Sequence, residues 1–306
     1  MKINSLILCF LMPFIGKTQN IFPEIEIQNK PYFYSSFDEA LANKEKATHL
    51  NQRNKNLDEI PENIELLTKL QVYTVMKNNI KTLSPKLFEC KALKELIVRN
   101  NQLSEIPENI GNLSKLTFFN AGYNKLNKLP ENIGKLKDLT ILQIEKNEIK
   151  ELPSSICNLK KLSILSVFNN KLFQLPVGIG QLKSLKNLNV AYNQLSFLNS
   201  NLWKLSKLEN INLEGNLIDS ISNNIGDLKC IKIIILTNNK VKELPNNICK
   251  LKNLESLLIS KNQLTCLPKQ IHLLKKLKTL IAIENNFSEV EKARIIAALP
   301  NCDIRF

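Results

Sequence analysis

The sequence predicts a curved α/β solenoid, in which a short unit is stacked about eleven times around a parallel concave sheet with short helical caps at both ends. Three observations support this prediction. Leucine, asparagine and lysine supply 51, 41 and 38 of the 306 residues, a bias typical of one unit copied many times. A 23-residue unit recurs without insertion or deletion over residues 47–287. Within each unit, apolar residues and asparagine recur at fixed positions.

The N-terminal segment, residues 1–18, has the layout of a secretory signal peptide. Lys2 precedes an apolar stretch from Leu6 to Ile15, and small residues follow it. This stretch of about ten residues is too short to cross a bilayer, which needs about 20. We therefore expect no transmembrane segment and an exported protein, located in the periplasm, at the cell surface or outside the cell. The alternative is a cytoplasmic protein with a hydrophobic N-terminus.

The next segment, residues 19–35, shows no repeat and is interpreted as a linker. Residues 36–46 are predicted to form an N-terminal helical cap, because Ser36 and Glu39 have the spacing of a capping box. A stacked-repeat protein needs such a cap, since its terminal unit would otherwise expose apolar core.

A C-terminal cap is predicted over residues 288–306. Ser288 and Glu291 show a second capping-box pattern before an apolar run. Pro300 is expected to end this helix, because proline cannot continue the helical hydrogen bonds. The last residues, 301–306, then add one extended segment.

The repeat follows the pattern LxxLxLxxNxLxxLPxxIGxLxx, as in residues 116–138. We number its positions as slots 1 to 23. In a strand, alternate side chains point to opposite faces, so slots 4 and 6 are predicted to be buried and slots 3, 5 and 7 to face outward. Proline at slot 15 starts the return of the chain in most copies. Three copies have Ser84, Asn199 and Ser222 there instead, and their return segments are expected to differ.

Asparagine occupies slot 9 in ten consecutive units and is interpreted as a structural ladder. A buried amide at this slot can bond to backbone groups of adjacent turns, and its loss would cost about 1–3 kcal/mol. The ten residues are Asn78, Asn101, Asn124, Asn147, Asn170, Asn193, Asn216, Asn239, Asn262 and Asn285.

Over residues 36–306 this pattern resembles that of leucine-rich repeat proteins with 23-residue units, and it is similar to the bacterial, plant Ras-group and Scribble-like members. The resemblance implies a horseshoe-shaped solenoid with an exposed concave sheet. It does not indicate the ligand, because members of this family bind diverse partners through positions outside the consensus.

The net charge of +14 raises the question of a polyanionic partner. Lysine stands at slot 22 or 23 of every full copy, along one rim of the predicted solenoid. The outward slots of the sheet lack the interleaved basic and aromatic residues of a nucleic-acid interface, so we expect no nucleic-acid partner. The rim is interpreted as a solvated surface, with weak contact to an anionic surface as the alternative. The outward charges at slots 3, 5 and 7 are Arg53, Glu95, Arg99, Glu145 and Glu214.

Catalytic and metal-binding patterns are not visible in the sequence. His49 and His272 stand in repeats at opposite ends, and no HExxH, CxxC, GxSxG or phosphate-binding loop occurs. The cysteines after residue 18 occupy repeat slots or the end cap, so we expect free buried thiols. The prediction is therefore a protein without enzymatic activity, cofactor or metal.

A binding surface is expected on the outward strand slots, where the demands of the fold relax. There, three apolar side chains at slot 3 face two tyrosines, a phenylalanine and two glutamates across the sheet. The alternative is that neighbouring β-branched and aromatic residues only stabilise adjacent strands, which is our interpretation of a second cluster around Ile235. The predicted partner-binding residues are Phe118, Tyr123, Ile141, Glu145, Ile164, Phe168, Tyr192 and Glu214.

These observations together predict a monomeric, non-catalytic scaffold that binds a protein partner on its concave sheet. Two alternatives remain open. One is a binder of polyanions or envelope glycans that uses the lysine rim. The other is a cytosolic signalling scaffold.

Overall fold

A computed structural model describes residues 32–306. The predicted signal peptide and most of the predicted linker lie outside the described residues. One parallel sheet of 13 strands runs through the molecule, with the strands in sequence order. The strands are β1 Phe33–Tyr34, β2 His49–Asn51, β3 Val72–Thr74, β4 Glu95–Ile97, β5 Phe118–Asn120, β6 Ile141–Gln143, β7 Ile164–Ser166, β8 Asn187–Asn189, β9 Asn210–Asn212, β10 Ile233–Ile235, β11 Ser256–Leu258, β12 Thr279–Ile281 and β13 Asp303–Arg305.

Neighbouring strands pair in a register of one repeat. Ile141 of β6 lies opposite Phe118 of β5 on one side and Ile164 of β7 on the other. The central residues of these strands point to the opposite face, where Leu142 and Leu165 are fully buried. The predicted solenoid with a parallel sheet is therefore confirmed, and the apolar residues of slots 4 and 6 contribute to its core.

The convex side consists of short 3₁₀ helices. In three repeats Ser84, Asn199 and Ser222 replace the proline, and their side-chain oxygens accept a bond from the backbone N–H two residues later. The return segments of these repeats therefore differ from the others in their side-chain caps, but they keep the five-residue 3₁₀ helix that most repeats have. The 3₁₀ helices are Ile64–Leu66, Pro85–Glu89, Glu108–Asn112, Glu131–Lys135, Ser154–Asn158, Val177–Gln181, Ser200–Lys204, Asn223–Asp227, Asn246–Lys250 and Ile271–Leu273.

The slot-9 asparagines bond each repeat to the preceding one. Asn170 shows the arrangement: its Nδ2 donates to the carbonyl oxygens of Ile144 at 3.0 Å and Val167 at 3.1 Å. Its Oδ1 accepts from the backbone N–H of Ile149 at 3.0 Å. Two of these three partners belong to the preceding repeat, so the amide satisfies backbone groups that the turn would otherwise leave unpaired.

The N-terminal cap contains a strand as well as a helix. Phe33 and Tyr34 form β1, which pairs with β2 and covers the first repeat. The linker predicted for residues 19–35 must therefore be shortened at its end. Helix α1, Phe37–Ala42, follows, and its N-cap residue Ser36 accepts a hydrogen bond from the backbone N–H of Glu39.

Helix α2, Glu289–Ala298, and strand β13 close the other end. Ser288 caps α2 by accepting from the backbone N–H of Glu291 at 3.2 Å. The Glu291 carboxylate does not complete a capping box; it accepts from the backbone N–H of Leu267 at 2.9 Å and from the Arg294 guanidinium at 2.7 Å. The helix is thereby tied to the last repeat.

The six cysteines of the described part of the chain are all free. Cys90, Cys157 and Cys249 are buried, as expected for small apolar residues in core slots. The expectation of buried thiols is wrong for Cys230 and Cys266, which are exposed because slots 23 and 13 face the solvent. Within residues 32–306 no helix is long and apolar enough to cross a membrane.

Candidate functional site

An apolar column runs across the concave face at slot 3. The strand register places Phe118, Ile141 and Ile164 side by side on β5, β6 and β7. All three side chains are half-buried, so each keeps apolar surface open to the solvent. Asn187 ends the column on β8.

A polar column at slot 5 lies beside these apolar residues. Asn120 is fully buried; its Nδ2 donates to Oε1 of Gln143 at 2.8 Å, and its Oδ1 accepts from the backbone N–H of Gly122 at 3.0 Å. Ser166 continues the column on β7. The predicted site residues at slot 3 are therefore separated from those at slots 7 and 8 by polar side chains.

Slot 8 has the left-handed backbone conformation in all eleven repeats. For residues other than glycine, asparagine and aspartate this conformation costs about 1–2 kcal/mol. Tyr123 and Tyr192 adopt it at φ of 56° and 52°. The full set is Asn54, Lys77, Asn100, Tyr123, Lys146, Asn169, Tyr192, Gly215, Asn238, Lys261 and Glu284.

The first aromatic residue, Tyr123, lies in a cluster of charges. The Arg99 guanidinium carbon is 4.0 Å and the Lys146 Nζ is 4.6 Å from the centre of its ring. Arg99 also forms an ion pair with Glu145. Neither Arg99 nor Lys146 is among the predicted site residues, although both lie against Tyr123 and Arg99 also holds Glu145.

A second cluster contains Phe168, Tyr192 and Glu214. The rings of Phe168 and Tyr192 meet edge to face with their centres 5.5 Å apart. The Tyr192 hydroxyl donates to Oε1 of Glu214 at 2.8 Å. Gly215 makes room for this arrangement, since a Cβ there would lie 2.7 Å from the Tyr192 ring.

Burial controls the protonation of this second cluster. It raises the pKa of the Glu214 carboxyl above its ordinary value, and the hydrogen bond from Tyr192 opposes this shift. Burial and the bond to Glu214 raise the pKa of the Tyr192 phenol to about 12. Tyr192 is therefore a protonated donor at neutral pH.

The eight predicted residues thus form three groups: the slot-3 column, Tyr123 with Glu145, and the cluster of Phe168, Tyr192 and Glu214. Each group is continuous, but the slot-5 column divides the first from the other two. A role of these residues in partner binding stays a prediction.

Four exposed apolar side chains on the flank of the solenoid are absent from the predicted site. They are 43% to 72% exposed and belong to three consecutive repeats. The sequence alone could have indicated these residues, because slots 10, 12, 13 and 16 are polar in nearly all other copies. We call this group the flank patch: Phe173, Val177, Phe197 and Leu217.

The lysine rim has a structural function. Four lysines at slot 22 donate to the slot-19 carbonyl oxygen of their own repeat, at distances of 2.6 to 3.5 Å: Lys137, Lys160, Lys229 and Lys252. These carbonyls belong to the last turn of the 3₁₀ helices, where a cation is favourable. Another rim residue, Lys161, pairs with Asp138 at 2.6 Å. Part of the positive charge therefore serves the fold.

Two family models match the chain. The model described as a leucine-rich repeat region matches residues 107–214, and the one described as a leucine rich repeat matches residues 68–126. A comparison with curated proteins found no match.

Similar solved structures come from receptors and from a bacterial protein. A TDR receptor is 27% identical, with a TM-score of 0.79 over 88% of this chain and 48% of its own. The functional domain of InlJ from Listeria monocytogenes is 24% identical, with a TM-score of 0.72 over 85% of this chain and 54% of its own. The Arabidopsis receptor kinase HAESA, in complex with the peptide hormone IDA and the co-receptor SERK1, is 27% identical, with a TM-score of 0.67 over 75% of this chain and 40% of its own. The chain therefore spans about half the length of these proteins.

Proposed function

We propose that this leucine-rich repeat protein is a non-catalytic scaffold that binds a protein partner on its concave sheet. The observation that carries the proposal is the continuous column of Phe118, Ile141 and Ile164, whose half-buried side chains keep apolar surface on the concave side. Buried apolar and aromatic anchors supply most of the free energy of protein–protein binding. A similar plant receptor binds a peptide hormone, which supports a peptide or protein ligand here.

The cluster of Phe168, Tyr192 and Glu214 also supports binding of a partner on the concave face. Tyr192 is held by the ring of Phe168 and by its bond to Glu214, so it is already ordered before a partner arrives. An ordered tyrosine loses little conformational entropy when it is buried in an interface. The proposed contact therefore extends from the slot-3 column to the edge formed by slots 7 and 8.

The proposal is tested by capture of partners from native extract with two matched triple variants. The first combines Phe118→Ala, Phe168→Ala and Tyr192→Ala on the concave face. The control alters the flank patch with Phe173→Ala, Phe197→Ala and Leu217→Ala. We expect the affinity of the concave variant for the partner to fall at least about thirtyfold, since a single anchor contributes about 2 kcal/mol or more.

The control variant is expected to retain the partner at the level of the original protein. Equal retention by both variants, with circular dichroism showing that both are folded, would overturn the proposal. Loss in the flank variant alone would assign binding to the flank patch instead.

A salt series separates the lysine-rim alternative from this proposal. Binding of a polyanion or an envelope glycan through rim lysines should fall steeply with ionic strength, because exposed charges are screened within about 10 Å at 0.1 M salt. Apolar contacts on the concave sheet should change little. Variants of Lys115 and Lys207, two rim lysines, would then weaken binding only under the alternative.

Export remains part of the proposal and rests on the pattern of residues 1–18. Fusion of residues 1–25 to a reporter enzyme is the direct measurement. Reporter activity outside the cytoplasm is expected, and retention inside the cell would favour the cytosolic scaffold.

A further inference from the structure

We propose that the concave sheet carries a subsite for a cationic side chain of the partner, an arginine or a lysine, built from Glu214, Thr237 and Ser260, with Tyr192 bonded to Glu214 at one end. The inference rests on the proposed function, because it assumes that the partner lies on the concave face. It adds the chemical class of one anchor residue.

The three residues occupy slot 7 in consecutive repeats. They are 6%, 5% and 6% exposed, so each side chain is more than nine-tenths buried. Parallel strands lie about 4.8 Å apart, which places the three side chains in a row about 10 Å long. This group is called the slot-7 row.

Each member of the slot-7 row has an oxygen atom without a hydrogen-bond partner in the described structure. These atoms are Oε2 of Glu214, Oγ1 of Thr237 and Oγ of Ser260. Buried polar atoms in proteins are nearly always paired, so three unpaired oxygens in one row are unusual. The fold does not require polar groups at this slot, since Gly122, Ala191 and Ile283 occupy it in other repeats.

The chemistry of the row selects a cation. An ionised carboxylate only accepts hydrogen bonds, and the two hydroxyls can accept as well. Oε1 of Glu214 already receives the Tyr192 hydroxyl, which leaves Oε2 for a ligand donor. A guanidinium presents five donors in a planar fork and an ammonium presents three, so either can bond to several of these oxygens.

The surroundings suit the rest of such a side chain. Ile235 and Leu258 lie at slot 5 on the same face of β10 and β11 and pack against each other, which provides an apolar wall for an aliphatic stem. The Tyr192 ring is 39% exposed and stays bonded to Glu214, so its exposed face can lie against the positive charge.

Other occupants fit less well. Glu214 is the only carboxylate of the slot-7 row, and within residues 32–306 no group of three or more histidine, cysteine, aspartate or glutamate side chains is placed to hold a metal ion. The nearest lysine of slot 8, Lys261, pairs with Glu284 at 3.6 Å. An anionic ligand would meet the carboxylate and be repelled.

The test uses N-acetyl-arginine amide as the probe and N-acetyl-citrulline amide as its uncharged isostere. Binding is followed by NMR of the isoleucine methyl groups, with Ile235 as the reporter at the site and Ile133 as a reporter in the convex core. We expect the arginine probe to shift the Ile235 methyl signal saturably in the millimolar range and to leave Ile133 unchanged. The citrulline probe should bind at least about tenfold more weakly, because it lacks the charge.

Three variants complete the test. Glu214→Gln keeps the shape of the side chain and the acceptor for the Tyr192 hydroxyl but removes the charge. It should lower the affinity for the arginine probe at least about tenfold. Thr237→Val removes one hydroxyl without changing the side-chain volume and should lower the affinity for the arginine probe several-fold. The control Glu151→Gln removes an exposed carboxylate away from the row and should have no effect.

Failure of the subsite can be distinguished from failure of the proposed function. Equal shifts with the arginine and citrulline probes, or an unchanged affinity of Glu214→Gln, would overturn the subsite. In that case the triple concave variant still decides whether the sheet binds a partner. If the probe binds as expected but the concave triple variant keeps its partner, the proposed function fails and the subsite cannot be the partner's anchor.

Discussion

Arg99 and Glu145, which lie two repeats apart, form an ion pair across the backbone of Gly122 in the repeat between them. The three residues occupy slot 7 in consecutive repeats, so a side chain at the middle position would stand between the charges. Both charged side chains are largely buried, and the guanidinium also lies against the ring of Tyr123. The absence of a Cβ at Gly122 therefore organises one end of the candidate binding surface.

We expect Gly122→Ala to break this ion pair. The added Cβ would lie 2.8 Å from the carboxylate carbon of Glu145, so the Glu145 side chain would have to turn away. The variant should lose about 1–3 kcal/mol in the free energy of unfolding, measured by urea denaturation. In a Glu145→Ala background the same change should cost much less. An equal cost in both backgrounds would show that the clash with Glu145 is not the cause.

Much of the fold follows from the sequence because its determinants repeat at a fixed distance. Leu142 and Leu165 are buried for the same reason in neighbouring repeats, and the slot-9 asparagines find the same backbone partners along the stack. Because every repeat pairs with the next in the same strand register, the structure predicted for one repeat can be applied to its neighbours.

Other features depend on contacts that no local pattern specifies. The Arg99–Glu145 pair joins residues 46 positions apart and depends on a glycine between them. The strand formed by Phe33 and Tyr34 has only two residues, and it exists because the first repeat presents an unpaired edge. The Glu291 carboxylate bonds to Leu267 rather than closing its own helix, which a capping-box pattern cannot indicate.

The asparagine ladder leads to a second prediction. Asn170→Ala removes bonds to two carbonyl oxygens and one N–H group in a buried turn. Each unpaired buried group costs about 1–3 kcal/mol, so we expect a total loss above about 3 kcal/mol in the free energy of unfolding by urea. Asn158→Ala is the matched control, because Asn158 is exposed and should change stability by less than about 0.5 kcal/mol. Similar losses in the two variants would contradict a special role of slot 9.

Cysteine reactivity gives a third prediction. Burial raises the pKa of the Cys90 thiol to about 12, and burial also raises the pKa of Cys157 and Cys249. Because the thiolate is the reactive species, these three should resist iodoacetamide at pH 8, whereas exposed Cys230 and Cys266 should react. The rates are measured for each site by peptide mass spectrometry, and we expect a difference of at least about a hundredfold. In denaturant the difference should disappear; rapid labelling of Cys90 without denaturant would contradict its burial.

Replacement of Glu214 by glutamine should stabilise the protein in a manner that depends on pH. Burial raises the pKa of the Glu214 carboxyl in the folded state above its value in the unfolded chain. The folded state therefore binds the proton more tightly, and stability is lost as the pH rises through the folded pKa. Glu214→Gln removes this loss, so its melting temperature should exceed that of the original protein at pH 7 and approach it at pH 4.

Glu148→Gln is the control, and we expect it to change the melting temperature in the opposite direction. A hydrogen bond from Lys171 lowers the pKa of the exposed Glu148 carboxyl, so this group contributes stability above its unfolded pKa that is lost as the pH falls. We expect Glu148→Gln to lower the melting temperature slightly at pH 7 and to have no effect at low pH. If Glu214→Gln lowered the melting temperature at pH 7 as well, the buried carboxylate would have a stabilising partner within the fold. A higher melting temperature of Glu214→Gln at pH 7 would instead mean that Glu214 lowers the stability of the protein. This is expected for a residue whose charge is needed by a ligand.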